Sequence, residues 1–266
     1  MEVSVDGLTA FAATGGRPFD ASQPVLVFVH GAGMDRTVWS VQARRFAHAG
    51  WSVLAVDLPG HGRSEGTPPA DIGAAADWLL RFLDAAGVTG AVLAGHSMGA
   101  LTVLEAAARG GAKVRGLALL GVATTMPVHP DLLAAAQADD HLAIDLVAFW
   151  GHGRRGLTGG HASPGLWMSG AAMRLMERGA PGLLHNGLAI CNAYAGALDA
   201  AAQVACPTLL LLGAQDQMTP PRRARDLAAA LAHARTVILP DTGHMMMIEV
   251  PTATTAALDA FLKELA

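Results

Sequence analysis

Gly95-His96-Ser97-Met98-Gly99 joins two segments of different character in this chain. The apolar run at 91–94 predicts a buried strand, and the alanine-rich run at 98–109 predicts a helix. A serine on a sharp turn from strand to helix has a strained backbone, and small neighbours permit the close approach that such a turn requires. A plain Gly-Ser-Gly turn lacks these flanking elements, so Ser97 is predicted to be a nucleophile.

Short apolar runs alternate with helical stretches along most of the remaining chain. Strands are predicted at 25–29, 52–56, 91–94, 114–120, 208–212 and 236–239. Helices are predicted at 37–49, 72–86, 98–109, 221–232 and 252–265. Residues 2–13 predict an antiparallel edge hairpin that turns at Asp6-Gly7. Continuous apolar strands alternating with helices favour a doubly wound α/β fold, with an eight-stranded, mostly parallel sheet and helices on both faces.

The segment 124–201 interrupts this alternation, because no strand is predicted in it. Its sequence is helical in character and is interrupted by glycines, and this pattern allows two interpretations. It is either an insertion that packs its own apolar faces or a lid over a pocket, and its position relative to the catalytic motifs favours the lid. The predicted organisation is a core domain of residues 1–123 and 202–266 with a helical cap of residues 124–201.

A base and an acid are expected to accompany Ser97, because a serine hydroxyl is a weak nucleophile until a base removes its proton. His244 follows the predicted strand at 236–239, and Asp216 follows the one at 208–212. The acid holds the histidine tautomer and stabilises its charge, and the chain order serine, aspartate, histidine is that of the nucleophile-elbow fold. Asp241 competes for the acid's role, but its place beside the histidine suits a residue that shapes the turn.

An oxyanion hole is predicted from two backbone N–H groups. One belongs to Met98, which follows the nucleophile at the start of the predicted helix. The other comes from the loop that follows the strand at 25–29, where Ala32 is the first choice and its neighbours Gly31 and Gly33 are rivals. The alternative interpretation of this loop is a strand exit made easier by glycine.

Taken together, these motifs resemble the α/β-hydrolase superfamily, in its branch of capped serine esterases, lactonases and carbon–carbon bond hydrolases. The matching segments are His30-Gly31-Ala32-Gly33, Asp57-Leu-Pro-Gly-His-Gly-Arg-Ser64, Gly95-His96-Ser97-Met98-Gly99, Gly213-Ala-Gln-Asp216 and Gly243-His244. The resemblance implies a helical cap between the sixth and seventh strands. It also implies that the segment 57–64 is a structural loop in which His61 is a scaffold residue.

The resemblance also bears on the reaction, since relatives that attack alkyl carbon carry an aspartate where Ser97 stands. The expected function is therefore a serine hydrolase that cleaves a small, largely apolar carboxylic ester or lactone through an acyl-enzyme, without cofactor or metal. Two alternatives stay open. One is hydrolysis of a carbon–carbon bond in a vinylogous diketone, and the other is a non-catalytic receptor for a small ligand on the same fold.

The residues that line the substrate pocket are predicted from their positions alone. The candidates are Gly31, Met34, Trp39, Trp150, Trp167 and Met245. Arg154 and Arg155 are candidates for contact with an acidic substrate, although arginines at a protein surface more often face solvent.

The composition excludes several classes of partner. The formal net charge is −4 without a basic stripe, which argues against nucleic acid, and no apolar run approaches the roughly 20 residues that span a membrane. Residues 1–6 carry acids and do not resemble a signal peptide, so the chain is expected to be cytoplasmic. Cys191 and Cys206 are expected to be free thiols. A small-molecule substrate is the expected partner, and the oligomeric state is left open.

Overall fold

The computed structural model describes residues 1–161 and 165–265. Its strands are β1 (Glu2–Val5), β2 (Leu8–Ala13), β3 (Val25–Val29), β4 (Ser52–Val56), β5 (Ala91–His96), β6 (Val114–Leu120), β7 (Thr208–Gly213) and β8 (Ala234–Leu239). These eight strands of the described chain form one sheet in the order β1-β2-β4-β3-β5-β6-β7-β8. β2 pairs antiparallel with β1 and β4, and the other pairings are parallel. The predicted α/β fold with its mostly parallel sheet is confirmed.

Helices cover both faces of this sheet. They are α1 (Ser40–Ala47), α2 (Ile72–Ala85), α3 (Met98–Gly110), α4 (Pro130–Gln137), α5 (Leu142–Gly151), α6 (Arg154–Leu157), α7 (Met168–Glu177), α8 (Leu183–Ala193), α9 (Ala197–Gln203), α10 (Arg225–Ala230), α11 (Met246–Glu249) and α12 (Pro251–Glu264). Val27 and Phe28 of β3 are both fully buried, yet they belong to different apolar clusters. Successive side chains of a strand point to opposite faces, so this strand is apolar throughout because both of its faces are covered.

The parallel arrangement brings several loops together at one edge of the sheet. The chain leaves β3, β5, β7 and β8 at their carboxyl ends, which lie side by side in a parallel sheet. The loops that follow these strands carry Ala32, Ser97, Asp216 and His244. Residues that are far apart in the chain thereby become neighbours.

The segment between β6 and β7 contains the helices α4 to α9, and its described residues include no strand. The proposed end of the cap at residue 201 falls inside α9. α9 packs against α3 of the core, and its alanines Ala197, Ala200 and Ala201 are buried in that contact region. The small side chains of α9 allow it to approach α3 closely.

One predicted helix is shorter and more irregular than expected. The helix predicted at 221–232 consists of a 3-10 turn at Pro221–Ala224 followed by α10, and the backbone of Leu231 is extended.

In the described part of the chain, no helix combines the length and the apolar character that crossing a bilayer requires.

Candidate active site

Ser97 occupies a strained turn between β5 and α3. Its backbone has φ 54° and ψ −117°. A positive φ is unfavourable in free energy for any residue that carries a side chain. The Ser97 N–H donates a hydrogen bond to the carbonyl oxygen of Leu120 at 2.9 Å, which helps to hold the turn. A Cβ on Gly95 would lie 2.1 Å from the carbonyl oxygen of Gly99, and one on Gly99 would lie 2.4 Å from that of Val29. Neither position has room for a side chain.

His244 and Asp216 are in direct contact, although 28 residues separate them in the chain. The His244 Nδ1 lies 2.8 Å from the Asp216 Oδ2, and both side chains are almost completely buried. The other carboxylate oxygen, Oδ1, accepts hydrogen bonds from the backbone N–H groups of Met218 and Thr219, each at 2.8 Å. Burial raises the pKa of Asp216, but His244 and these hydrogen bonds together lower it below its ordinary value.

Asp241, the competing acid, contacts a different side chain. Its Oδ1 accepts a hydrogen bond from the Gln215 Nε2 at 3.3 Å, and its own φ is 51°. The residue is exposed and shapes the turn before His244. The geometry therefore favours Asp216 as the partner of the histidine.

Thr219 is a member of this constellation that sequence reasoning missed. Its hydroxyl donates to the Asp216 Oδ2 at 2.7 Å and lies 3.1 Å from the His244 Nδ1. The hydroxyl thus satisfies the carboxylate oxygen that also faces the imidazole. The signal in the sequence is the spacing, because Thr219 lies three positions after Asp216. At this spacing an aspartate commonly accepts hydrogen bonds from the turn that follows it, and a hydroxyl residue can donate to the same carboxylate.

His96, which precedes Ser97, contacts the loop after β8 that carries His244. Its Nε2 lies 3.0 Å from the carbonyl oxygen of His244, so Nε2 carries the hydrogen and donates it. The two rings lie 4.6 Å apart between centroids. Burial, followed by the proximity of His244, lowers the pKa of His96 well below its ordinary value, so its ring is neutral. Sequence reasoning assigned no role to this residue.

A cavity of about 400 Å³ opens in front of Ser97 and His244. Its lining is largely apolar, and the described lining residues are Ala32, Ser97, Met126, Pro127, Val128, His129, Leu132, Trp150, Leu188, Cys191, Gln217, Met218, Thr219, Arg223 and His244. Volumes of a few hundred Å³ are typical of sites for small molecules. Among the described residues, no cluster of three or more His, Cys, Asp or Glu side chains is suited to hold a metal ion.

One of the two predicted oxyanion donors, Ala32, lines this cavity, and the other, Met98, follows Ser97 in the chain. Ala32 lines the cavity together with Ser97, and Met98 is the first residue of α3. The first N–H groups of a helix have no acceptor within the helix, and the helix dipole places partial positive charge there. A developing negative charge beside Ser97 would meet this end of α3.

The loop with the alanine donor rests on buried, neutral histidines. The His30 Nδ1 donates to the carbonyl oxygen of Gly31 at 2.9 Å, and its Nε2 accepts the N–H of Leu58 at 3.2 Å. The His61 Nδ1 donates to the carbonyl oxygen of Pro59 at 2.9 Å. Burial lowers the pKa of His30 to about 4 and that of His61 to about 3. Neither ring lines the cavity, which agrees with a scaffold role for both.

The predicted pocket residues fall into two groups in the structure. Trp150 lines the cavity. A Cβ on Gly31 would lie 3.3 Å from the Ser97 Cβ, so this glycine adjoins the nucleophile without lining the cavity.

The other four pocket candidates do not line this cavity. Met34, Trp39 and Met245 are buried in the apolar cluster that contains Phe28, on which Trp39 stacks at 4.8 Å between ring centroids. Apolar side chains next to a catalytic loop pack inward when core space is available. Trp167 is 64% exposed and borders a separate surface groove.

Glu249 is a buried carboxylate that sequence reasoning also missed. Its Oε2 accepts hydrogen bonds from the N–H of Gly153 in the inserted segment at 2.8 Å and from that of Gly243 beside the histidine at 3.2 Å. The N–H of Met245 also donates to the carbonyl oxygen of Gly151 at 3.0 Å. Burial raises the pKa of Glu249 above its ordinary value. Glu249 therefore ties the inserted segment to the histidine loop.

Known proteins resemble this chain across most of its length. Residues 26–258 match the model of the Alpha/beta hydrolase family. A pimeloyl-(acyl-carrier protein) methyl ester esterase of Neisseria meningitidis is 30% identical over 88% of this chain and 75% of the esterase. An (E)-2-((N-methylformamido)methylene)succinate hydrolase of Acinetobacter baylyi is 25% identical over 90% of each chain.

A solved structure confirms the same architecture. The crystal structure of the enol-lactonase from Burkholderia xenovorans LB400 superposes with a TM-score of 0.87, covering 99% of this chain and 100% of the lactonase. The sequences are 24% identical, so this likeness concerns the fold.

Proposed function

Because this chain belongs to the alpha/beta hydrolase family, we propose that it is a serine hydrolase that cleaves a small, largely apolar carboxylic ester or lactone. The observation that carries the proposal is the buried 2.8 Å contact between His244 and Asp216 beside a cavity that Ser97 also lines. A nucleophile, a base and an acid that meet at one cavity are the parts that acyl transfer requires. Relatives that are named as an esterase and a hydrolase support this assignment.

The mechanism follows from the positions of these groups. The Ser97 hydroxyl attacks the substrate carbonyl carbon while the His244 Nε2 takes the hydroxyl proton. The ionised Asp216 holds the proton on Nδ1 and stabilises the imidazolium that forms. The N–H groups of Met98 and Ala32 donate to the oxyanion, and loss of one such donor typically costs about a hundredfold to a thousandfold in rate.

The second half of the reaction regenerates the enzyme. The imidazolium of His244 gives its proton to the leaving alcohol oxygen, and the acyl group remains bonded to the Ser97 oxygen. Water, deprotonated by His244, then attacks the acyl carbon and releases the acid and free Ser97. No cofactor or metal takes part in these steps.

The inserted helices have the role of a cap in this proposal. Leu132 of α4, Trp150 of α5 and Leu188 of α8 line the cavity opposite the catalytic loops. Their apolar side chains suit an acyl or alkyl group and exclude water from the reacting carbonyl. Substrate preference therefore depends mainly on this segment.

Turnover of p-nitrophenyl acetate, p-nitrophenyl butyrate and a small lactone tests the proposal. The wild type is expected to hydrolyse at least one of them, and Ser97→Ala is expected to lose at least about a thousandfold in kcat. Ser22→Ala, which alters an exposed serine far from the cavity, is the matched control and retains full activity. A fluorophosphonate probe is expected to label the wild type on the peptide that contains Ser97.

Other results would point to other functions. Hydrolysis that survives in Ser97→Ala excludes this nucleophile. Turnover of a vinylogous diketone, with every ester and lactone inert, indicates a carbon–carbon bond hydrolase. Saturable ligand binding without turnover of any of these compounds indicates a receptor.

A further inference from the structure

Among the described residues that line the cavity in front of Ser97, one side chain carries a permanent charge. Of the described residues that line it, Arg223 is the single arginine, and none is a lysine, aspartate or glutamate. Arg223 is also exposed, so it lies where the cavity meets solvent. Arg154 and Arg155, the arginines singled out in the sequence, do not line this cavity.

Three hydrogen bonds hold the backbone of Arg223 where the core meets the insertion. Its N–H donates to the carbonyl oxygen of Pro220 at 2.8 Å. Its carbonyl oxygen accepts from both the N–H and the hydroxyl of Thr124, at 3.0 and 3.1 Å. The guanidinium therefore extends from a fixed base, and an ordered base reduces the entropy lost when the side chain binds a ligand.

The guanidinium of Arg223 has no carboxylate partner among the described residues. Other arginines of this chain do have one: Arg36 lies 2.6 Å from Asp57, and Arg178 lies 2.9 Å from Asp35. An unpaired guanidinium presents a planar fork of donors that fits a carboxylate with two hydrogen bonds. The carboxamide of Gln217, which lines the same cavity, adds a neutral donor.

We infer that Arg223 binds an anionic group of the substrate, so that the substrate class is a carboxylic ester that also carries a carboxylate at the far end of an apolar chain. The inference rests on the proposed role of Ser97 as nucleophile. The ester carbonyl reaches Ser97, the hydrocarbon chain contacts the apolar lining, and the carboxylate meets the guanidinium where solvent enters. The positive rim also attracts anionic substrates from solution.

The test compares two matched series of esters. One consists of ethyl hemi-esters of linear dicarboxylic acids with four to eight carbons, and in the other a carboxamide replaces the free carboxylate. For the chain length that fits best, the wild type is expected to prefer the hemi-ester by roughly threefold to tenfold in kcat/KM, because solvent weakens an exposed ion pair. The preference lies mainly in KM and shrinks as NaCl rises.

Two arginine variants isolate the contribution of the guanidinium. Arg223→Gln is expected to abolish the preference for the hemi-ester, and Arg223→Lys to retain part of it. Arg222→Gln is the matched control, because it removes the same charge from the same short turn, while Arg222 lines a different surface depression. It is expected to keep the wild-type preference.

The possible failures are distinguishable. If wild type and Arg223→Gln hydrolyse hemi-ester and ester-amide equally well, and Ser97→Ala hydrolyses neither, the anion site is refuted and the serine hydrolase stands. If the wild type hydrolyses neither series and is also inert towards p-nitrophenyl acetate, p-nitrophenyl butyrate and the small lactone, the proposed function fails. In that case, calorimetric titration of Ser97→Ala with the hemi-ester and the ester-amide compares their affinities and tests the anion site without turnover. Tighter binding of the hemi-ester that disappears in the Arg223→Gln double variant supports it, and equal binding of both esters overturns it.

Discussion

The loops after β3, β5, β7 and β8, which carry Ala32, Ser97, Asp216 and His244, and the inserted segment 124–201 both contribute residues to one cavity. They differ in the kind of contact that holds them. In the loops, main-chain atoms approach so closely that a Cβ on Gly213 would lie 2.0 Å from the carbonyl oxygen of Gly243. Hydrogen bonds occupy both oxygens of Asp216. The insertion contributes mostly apolar side chains, such as Leu132 and Leu188. Apolar packing tolerates exchange of similar side chains far better than a polar constellation does.

This difference separates the chemistry of the site from its specificity. The loops hold His244 and Asp216 within hydrogen-bond distance and bring Ser97 and His244 to one cavity, and in the proposed reaction small displacements of these groups would lower the rate strongly. The insertion sets the shape of the apolar wall. Changes at the loops are therefore expected to affect kcat or folding, and changes in the insertion are expected to affect KM.

The largest expected effect is that of Asp216→Asn, which removes the acid from the loop side of the cavity. Activity is expected to fall by about four orders of magnitude in kcat, because the amide stabilises neither the required tautomer nor the imidazolium. Asp241→Asn is the matched control on the neighbouring turn, where asparagine tolerates the positive φ. It is expected to stay within about twofold of the wild type, and a large loss there would reassign the acid.

The stability of the same variant depends on pH in a defined direction. The pKa of Asp216 is lowered in the folded protein, so its contribution to stability is present above its ordinary pKa. This contribution is lost as the pH falls through the lowered folded value. The difference in Tm between wild type and Asp216→Asn is therefore expected to shrink below about pH 4. A difference that stays constant from pH 7 to pH 3 would contradict the assignment.

Gly99→Ala tests the close approach that distinguishes the loops from the insertion. Alanine favours a helix over glycine, yet its Cβ would lie 2.4 Å from the Val29 carbonyl oxygen. The free energy of unfolding is expected to fall by about 3 kcal/mol in a urea titration. Gly182→Ala in the insertion has a positive φ but no atom within 4 Å, so only about 1 kcal/mol is expected. Equal losses would remove the contrast between the regions.

Glu249→Ala removes the side chain that joins the insertion to the loop of His244. It leaves two buried N–H groups, those of Gly153 and Gly243, without an acceptor, and about 2 kcal/mol of stability is expected to be lost. The rate is expected to fall by about tenfold, since the loop of His244 loses a support. Thermal unfolding and kcat measure the two effects.

Glu249→Gln is the control, because it keeps an acceptor and removes the charge. Burial raises the pKa of Glu249 in the folded state, so ionisation of this carboxyl destabilises the fold as the pH rises through that value. The stability of Glu249→Gln relative to the wild type is therefore expected to increase from pH 4 to pH 8. A relative stability that decreases over this range would show that the ionised carboxylate stabilises the fold.

The smallest expected effect is that of Trp150→Ala in the insertion. Its ring lines the cavity, so the variant is expected to raise KM for p-nitrophenyl butyrate by roughly threefold to tenfold, with a smaller change in kcat. Trp167→Ala serves as control, since Trp167 borders a different groove and is expected to leave both constants unchanged. A stronger effect of Trp167 would restore the original pocket prediction for that residue.

The fold could be predicted from the sequence because its signals are local. Apolar runs such as 25–29 form strands covered on both faces, and the glycines around Ser97 are required by contacts that any residue with a Cβ would violate. The serine, the acid and the histidine each follow a predicted strand, so the topology of a parallel sheet brings them to one edge. Asp216 meets His244 for that reason.

The pocket could not be predicted in the same way. The sequence around Trp39, Trp150 and Trp167 does not distinguish their surroundings. In the structure Trp39 is in the core, Trp150 lines the cavity and Trp167 is exposed. Thr219 and Glu249 depend on contacts across 25 and 96 residues. Arg223 is distinguished only by its place in the fold: it lines the cavity, and no carboxylate of a described residue pairs with its guanidinium.

The sequence by itself determined the sheet, the sharp turn at Ser97 and the order of the three catalytic candidates, because periodicity and backbone sterics act between neighbours in the chain. The tertiary structure alone decided which tryptophan and which arginine line the cavity, and that Glu249 joins the insertion to the histidine loop. Those outcomes depend on how distant segments pack, and side-chain direction and burial are set only when the packing is complete.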